Sequence, residues 1–584
     1  MKSAMPPTAQ PIIEFLADLK HQDIHLYVQD DRLRCNAPRD GLTDSMRQRI
    51  TERKAEIVEF LQRLGVESPS DSLSPNEGCQ ALPQIITNEA ERYQPFPLTE
   101  IQQAYLLGRD DSFDLSNVST HVYGELDMVG LDLEKFEQAW QHLIQKHEMM
   151  RAIVNKDGYQ QILEQVPDYR IEVLDLREVE AEVANSKILA IRKRLSHQLL
   201  PTDTWPLFEV RAALLSSSKT RLFISIDLLI ADAWSLELIF QELVSYLRNS
   251  QPSQKPIDVS FRDYVLAEIA LKDSEVYRRS KTYWQNRVAT LPPSPELPLG
   301  ANLASVKRPR FVRRIRKISP EHWQKIRQQG FKMGLTPSVI ILAAFGEVLA
   351  AWSKQPRFTL NITLFRRLSL HQDINRLVGD FTSLDLLAID NAGLATFTTR
   401  AKNIQRQLWQ DLEHRYMSGM EVLRKIAHAQ QRYTGALMPV VYTSTLTNDS
   451  LNRDRFANSS DTDGASVYKL GEMVYNLSQT PQIYLDHYVG EEQGTLLLGW
   501  DTVDEVFPPG LIDDMFQAYG DFVEALATKE TLWQANPRQI MQQLFPSQQL
   551  VKLARVNDAA QQLFRAQADS TQTVSSKTDD FQAF

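Results

Sequence analysis

Phe223-Ile-Ser-Ile-Asp227-Leu-Leu-Ile-Ala-Asp232-Ala-Trp-Ser235 carries an alternating strand directly into two acids and the start of a helix. Leu222, Ile224, Ile226 and Leu228 take one side of a period of two, and Phe223, Ser225 and Asp227 take the other. The spacing predicts a strand that Asp227 closes. Beyond Trp234, the apolar residues Leu236, Ile239, Phe240, Leu243, Val244 and Leu247 recur at helical spacing, and Ser235 is expected to be the N-cap of that helix. The loop between them holds both acids in the order Asp-x4-Asp-x2-Ser.

A chain of 584 residues exceeds what one core usually supports, so two or more domains are expected. Hydrophobic content of 43% supports globular folding. The formal charge of -10 leaves no basic surplus to release counterions from a phosphate backbone, which argues against a nucleic-acid partner. Cys35 and Cys79 are the sole cysteines, so neither a disulfide framework nor a cysteine zinc site holds the main body. A reducing, cytoplasmic setting fits. The N-terminus lacks the apolar core of a signal peptide, and no apolar run is long enough for a bilayer, so no membrane partner is expected. Val339 to Trp352 contains Glu347 and reads as a buried helix. No His-x3-His or Cys-x2-Cys motif appears, so no metal site is expected.

Residues 9–66 read as a compact αββαα unit. Ile24, Leu26 and Val28 alternate with His25 and Tyr27, Gln29-Asp30-Asp31 can turn the chain, and Leu33 and Cys35 resume the pattern. Residues 67–94 are rich in Ser, Pro, Asn and Glu and read as a linker. From 95 to 540, strand-like segments such as Arg221–Ile226, Phe358–Thr363 and Met438–Thr443 interleave with helical ones such as Leu131–His147, Pro337–Ser353 and Thr398–His414. An α/β body follows. The last twenty residues are polar and read as a disordered tail.

Several further stretches stand in order around the opening one. They are Phe96-Pro-Leu-Thr-Glu-Ile-Gln-Gln-Ala-Tyr-Leu-Leu-Gly-Arg109, Lys146-His-Glu-Met-Met-Arg151, Leu291-Pro-Pro-Ser-Pro-Glu-Leu-Pro-Leu299, Thr336-Pro-Ser to Trp352-Ser353, Pro439-Val-Val-Tyr-Thr-Ser444 and Ser478-Gln-Thr-Pro-Gln-Ile-Tyr-Leu-Asp-His487. Val378-Gly-Asp-Phe-Thr-Ser383 and Gly499-Trp-Asp501 add two more. Together they resemble the heterocyclization domains of nonribosomal peptide synthetases. In ordinary condensation domains, a His-His-x3-Asp-Gly motif fills the place of Asp-x4-Asp-x2-Ser. The resemblance implies an α/β (α+β) sandwich: two chloramphenicol-acetyltransferase-like lobes, near 95–270 and 271–540, in a V-shaped pseudo-dimer. Residues 9–66, with Arg32-Leu-Arg-Cys-Asn-Ala-Pro38, resemble the N-terminal docking domains of tubulysin synthetases. Such domains bind a C-terminal segment of the preceding synthetase, and Arg32 and Arg34 are the candidates for selecting it.

The chemistry implied is condensation of an upstream carrier-bound acyl or peptidyl thioester with the amine of carrier-bound Cys, Ser or Thr, then cyclodehydration to a thiazoline or oxazoline. Dehydration needs one proton delivered to a departing oxygen and another removed from nitrogen, and a placed carboxyl group does both. Asp486 resembles the family's catalytic Asp. Thr443 is its expected partner, and Ser444 is expected at the substrate amide, against the plainer reading of both hydroxyls as strand ends satisfied by backbone. Gln482 lies in the same motif. Asp227 and Asp232 invite a catalytic reading because they stand in place of the condensation histidine, but their spacing equally suits structural pairing, and by family parallel Arg367 is expected to bind Asp232. Ser235 reads as a cap, not a nucleophile, because no Gly-x-Ser-x-Gly elbow surrounds it. Tyr105 and Arg109 are expected at the lobe junction or a pantetheine tunnel. His147 is expected to pack between helices, and His487 to tune Asp486.

One position departs from the family pattern. The residue before Arg367 is usually Asn, and here it is Arg366, which adds charge and bulk and cannot accept a hydrogen bond. Two alternatives therefore stand beside heterocyclization: an amide-forming condensation domain without ring closure, and an inert docking scaffold. The chain has neither a phosphate loop for adenylation nor a Gly-Gly-x-Ser carrier sequence. No covalently bound cofactor is expected, and phosphopantetheine arms would come from upstream and downstream carrier domains. Residues 541–584 are expected to lead toward an adjacent adenylation domain, with Leu532-Trp533 to Asn557 resembling that linker. A homodimer through the docking unit is a further expectation.

Overall fold

The computed structural model describes residues 15, 19, 25–29, 32–36, 44–63, 82, 84–111, 113–248, 256–431, 435–446 and 467–544. The strand Lys219–Asp227 forms where its alternation predicts and takes the centre of a five-stranded sheet. Its order is Glu472–Gln479, His121–Val129, Lys219–Asp227, Phe208–Leu214, Glu172–Asp175, antiparallel throughout except for the last pair. The period of two sorts the side chains physically. Leu222, Ile224 and Ile226 enter a core with Phe136, Trp140, Leu143, Ile239 and Leu243 from the helices Leu133–Lys146 and Ala233–Leu247. Phe223 points the other way, with Tyr123 and Ala213, onto Ile188 and Leu195 of the helix Ala181–Leu195.

A six-stranded sheet follows the order Phe311–Ile318, Thr495–Val503, Leu485–Glu492, Val440–Ser444, Arg357–Phe365, Thr382–Asp390. Its two inner pairs, Leu485–Glu492 with Val440–Ser444 and Val440–Ser444 with Arg357–Phe365, are parallel. The helix Pro337–Trp352 packs on one face with Phe397–Glu413 and Leu511–Thr528. Pro337 fits the first helical turn, where its missing N–H needs no partner. This helix is apolar nearly all round because it is covered by sheet on one side and helices on the other. Its one acid, Glu347, accepts from Arg400 Nε at 2.7 Å.

The two sheets exchange parts. Glu472–Gln479 leaves the C-terminal half and adds an edge strand beside His121–Val129. Leu368, Leu370, Ile374, Leu377, Val378 and Phe381 join the core of the first sheet, while Leu115 and Val118 join the core of the second. A division near residue 270 is thus crossed by hydrogen bonds and packing in both directions. Leu532 and Trp533, read from sequence as the start of a linker, are fully buried in the second core, where Trp533 meets Phe397 edge-on at 5.8 Å. The linker residues beyond 544 lie outside the described residues.

Near the N-terminus, His25–Gln29 and Arg32–Asn36 form an antiparallel hairpin, followed by helices Asp44–Glu52 and Lys54–Arg63. The side chains of Arg32 and Arg34 lie outside the described residues. Among the described residues, no single helix is long and apolar enough to cross a membrane.

Candidate functional site

Strand alternation decides which groups meet. In the six-stranded sheet Val441 stands opposite Asp486, Asp486 opposite Asp501, and Thr363 opposite Thr443. Thr443, Asp486, Asp501 and Thr363 therefore share one face. Residues of the other parity, Tyr442, Leu485, Val489 and Trp500, face the helices. His487 follows that second parity. It stacks on Tyr442 at 4.6 Å and bonds the Tyr519 hydroxyl at 2.7 Å, and burial pushes its pKa down to about 3. The expectation that it tunes Asp486 fails, because adjacent residues of a strand point to opposite faces. Ser444 shares its side: it accepts from Ser338 Oγ of the helix Pro337–Trp352 at 3.0 Å. Alternation separates it from Thr443 and Asp486.

Asp486 Oδ1 is buried without a hydrogen-bond partner, and among the described residues Asp486 makes no ion pair. Burial, reinforced by the Asp501 charge and only partly offset by Arg313, pushes its carboxyl up to about 8. Arg313 is committed elsewhere, with its Nε donating to Asp501 Oδ1 at 2.6 Å. Thr443 Oγ1 donates to Thr363 Oγ1 at 2.9 Å, an orientation across neighbouring strands.

The opening motif is bound in a different manner. Asp227 accepts from Ser119 Oγ at 2.7 Å and from the Leu229 N–H at 3.1 Å, and Arg109 pairs with it. Arg109 also donates to the Leu200 carbonyl at 2.9 Å, which fixes the end of its own motif to this strand end. Gln102 of that motif reaches the same loop, donating to the Leu229 carbonyl at 2.7 Å. The N-cap of the helix Ala233–Leu247 is Asp232, not Ser235: Asp232 Oδ1 accepts from the Ser235 N–H at 2.8 Å. The physical reason is reach, since a cap accepts from the third residue of its helix and Ser235 occupies that third position. Ser235 is fully buried, its Oγ 2.6 Å from Asp232 Oδ1, and accepts from Arg367 Nη2 at 2.8 Å and from the Gly379 N–H at 3.0 Å. Arg367 Nη2 lies 3.0 Å from Asp232 Oδ1 in a buried ion pair. Asp232 Oδ2 has no partner, so its charge is met at the other oxygen.

Arg367 does more than pair. Its Nη1 donates to the carbonyls of Ile374 and Leu377 at 3.0 and 2.8 Å, and its guanidinium lies 3.9 Å over the Phe381 ring. Arg366 turns to other partners. It forms an ion pair with Glu268 and donates to the Arg415 carbonyl at 2.7 Å.

Gln482 adopts a left-handed backbone with φ 62°, and its N–H donates to the carbonyl of Leu115, itself at φ 52°. Two non-glycine residues in that region, bonded to each other, hold the turn before Asp486 against the first sheet's loop. Tyr105 is buried, and burial with the charges of Asp380 and Asp486 pushes its pKa well up. His147 bonds Glu242 at 3.0 Å.

Asp380 was not singled out from sequence. It is fully buried, makes no ion pair among the described residues, and its Oδ2 has no partner. Burial, with Asp232 and Asp227 nearby, pushes it up to about 8. The stretch Val378-Gly-Asp-Phe-Thr stood in plain view, but no local pattern says that an acid will be sealed without a base. The pairing of Arg313 with Asp501 was equally invisible, because 188 residues separate them.

Residues 93–531 match the family described as Condensation domain, and residues 12–75 match the one described as TubC N-terminal docking domain. Pyochelin synthetase PchF of Pseudomonas aeruginosa is 30% identical over 529 residues, 89% of this chain and 27% of that protein. Phenyloxazoline synthase MbtB of Mycobacterium tuberculosis is 34% identical over 447 residues, 76% of this chain and 30% of that protein. The chain thus spans under a third of the length of these relatives. Among solved structures, the EpoB cyclization-docking bidomain from Sorangium cellulosum, in its monoclinic crystal form, superposes with a TM-score of 0.71 at 38% identity. That match covers 90% of this chain and 99% of the bidomain.

Proposed function

The chain belongs to the condensation-domain family, and from that premise we propose that it joins an acyl or peptidyl thioester from an upstream carrier to carrier-bound Cys, Ser or Thr and then closes a thiazoline or oxazoline ring. The observation that carries the reading is Asp486, half-buried, with its inward oxygen unpartnered and no ion pair among the described residues, on the same sheet face as Thr443. A carboxyl pushed up to about 8 keeps its proton at neutral pH, as dehydration needs.

The steps balance on such a group. The side-chain thiol or hydroxyl adds to the new amide carbon, its carbon–heteroatom bond forming as the carbonyl oxygen becomes a hydroxyl. Asp486 then gives its proton to that hydroxyl, the C–O bond breaks and water leaves. The carboxylate takes the proton from nitrogen as the C=N bond forms, which restores the acid. Thr443, oriented by Thr363, is the hydroxyl that positions Asp486 or its proton.

Arg366 bears on ring closure. The family's Asn is absent, but the guanidinium is occupied by Glu268 and the Arg415 carbonyl, which supports a ring-closing rather than an amide-only reading. Phosphopantetheine arms of upstream and downstream carriers would present both substrates, and a cytoplasmic setting fits that chemistry. The docking unit would take a C-terminal segment of a preceding synthetase along its hairpin, with Arg32 and Arg34 as selecting charges. An adjacent adenylation domain and a homodimer through the docking unit complete the proposal.

The test is an assay with an acyl-loaded carrier and cysteinyl-, seryl- or threonyl-loaded carrier, read by mass. A product one water lighter than the linear amide is expected. Linear amide alone leaves condensation without cyclisation, and no product from any pair leaves the inert scaffold.

A further inference from the structure

The edge strand Phe311–Ile318 and the segment leading into it carry their charges in two different ways. The strand's three arginines are all matched: Arg313 by Asp501, Arg314 by Asp504 and Asp513, and Arg316 by Asp521 and Glu524. The bases of the preceding Lys307-Arg308-Pro-Arg310 are not. Lys307, Arg308 and Arg310 are exposed, and among the described residues none of them makes an ion pair. Leu303 and Val306 pack against the core of the second sheet, and Pro309 is buried between two exposed neighbours, so the backbone is anchored while the bases face out. In a chain of net charge -10, three unmatched bases within four residues make a local positive patch.

The patch is tied to the site by hydrogen bonds and by strand register. The Lys307 carbonyl accepts from Asn117 Nδ2 at 3.3 Å, and in the same loop the Leu115 carbonyl accepts from the Gln482 N–H at 2.9 Å, at the turn that leads into the Asp486 strand. In the sheet, Asp486 lies opposite Asp501, and Asp501 opposite Arg313. Two strand spacings of about 5 Å, combined with a rise of about 3.3 Å per residue back from Arg313, put the Arg310 backbone roughly 14 Å from that of Asp486 and the Arg308 backbone up to roughly 19 Å away. A phosphopantetheine arm has about thirteen bonds from phosphorus to sulfur, and at the extended chain's reach of about 3.6 Å per three bonds it spans about 16 Å. The two arginines bracket that length.

We propose that Lys307, Arg308 and Arg310 form the docking surface for one carrier domain and bind the phosphodiester through which its phosphopantetheine arm is attached, so that the thioester end of the arm is held at Asp486. A phosphodiester keeps a negative charge at neutral pH and presents two free oxygens. An arginine fork donates to such a pair of oxygens, and a lysine adds a mobile point charge beside it. The same patch steers a negatively charged carrier before contact. Its bases are unmatched for a physical reason, since a guanidinium already held by a carboxylate has little left to offer a phosphate. One arm needs one such grip, so the other carrier docks elsewhere. This surface presupposes the carrier-bound substrates proposed above and does not depend on ring closure.

Binding measurements on the full chain test it, comparing the wild type with a variant that combines Lys307→Gln, Arg308→Gln and Arg310→Gln. Lys317→Gln, at the far end of the strand, is the control. The probes are the upstream and downstream carriers, each in holo form with its arm and in apo form without it, and affinity is read by fluorescence anisotropy at low and high salt. The wild type is expected to favour the holo form of one carrier, and the triple variant to lose about tenfold or more of that preference at low salt, for that carrier alone. As soluble stand-ins for that carrier, thioesters of 4′-phosphopantetheine and of pantetheine should differ in KM by about fivefold or more with the wild type and by less than about twofold with the triple variant. A holo preference that survives in the triple variant overturns the proposal. An equal loss for both carriers, or the same loss in Lys317→Gln, overturns it as well. A wild type that binds a holo carrier through the patch and forms no product removes the catalytic reading instead and leaves the docking surface standing.

Discussion

Asp232, fully buried, and Asp486, half-buried with its Oδ1 turned inward, are aspartates near the ends of sheet elements, and they are treated in opposite ways. Asp232 has Arg367 at 3.0 Å, caps a helix and takes a serine hydroxyl. Asp486 has an unpartnered oxygen and, among the described residues, no ion pair, and the Arg313 guanidinium that acts on it is engaged by Asp501. The same holds for Asp227, paired with Arg109, against Asp380, which makes no ion pair among the described residues. The two acids beside arginines, Asp232 and Asp227, hold structure. An acid denied a counter-charge keeps its proton and can give it away.

That contrast can be broken most severely at the paired acids. Asp232→Ala leaves Arg367 buried without a counter-charge, which costs about 3–5 kcal/mol, and denaturant unfolding should reveal that loss. Asp486→Asn should show no comparable loss; equal destabilisation by the two would erase the distinction. The pH dependence sharpens it further. Asp486 is pushed up to about 8 from an ordinary value near 4, so between those values the folded chain keeps a proton that the unfolded chain releases. Its contribution to stability is full below about pH 4 and is lost as pH rises toward about 8. Asp486→Asn should therefore gain in Tm over the wild type as pH goes from 5 to 8, and a pH-independent difference would contradict the assignment. Thr443→Val removes one hydroxyl and should lower the ring-to-amide ratio by roughly five- to tenfold, the size of one net hydrogen bond. Arg366→Asn should be the mildest. With its guanidinium held by Glu268, restoring the family residue is expected to change that ratio by about twofold or less.

Much of this was legible in the chain. The period of two from Leu222 to Asp227 and the helical repeat after Trp234 became the strand and helix they predict, because both rest on burial of a single face. The ordered motifs gave the family before any coordinate. What failed was local geometry. Ser235 was read as the cap where Asp232 takes that place, a shift that turns on which carbonyl begins the helix. Ser444 and His487 were placed beside their chain neighbours Thr443 and Asp486, although strand alternation sends them to the other face. Asp380 escaped altogether. Its meaning lies in the bases that are missing around it, and absence across distant segments leaves no periodic trace. The exchange of Glu472–Gln479 into the first sheet is of the same kind, since an edge strand's partner is not written in its own alternation.

The most direct measurement is the product of Asp486→Asn in the loaded-carrier assay, across pH 6 to 9. The account predicts that ring formation falls by about 10²- to 10⁴-fold while linear amide accumulates, and that the wild type's own ring formation declines as pH rises through about 8. Ring product from Asp486→Asn at the wild-type rate would contradict it.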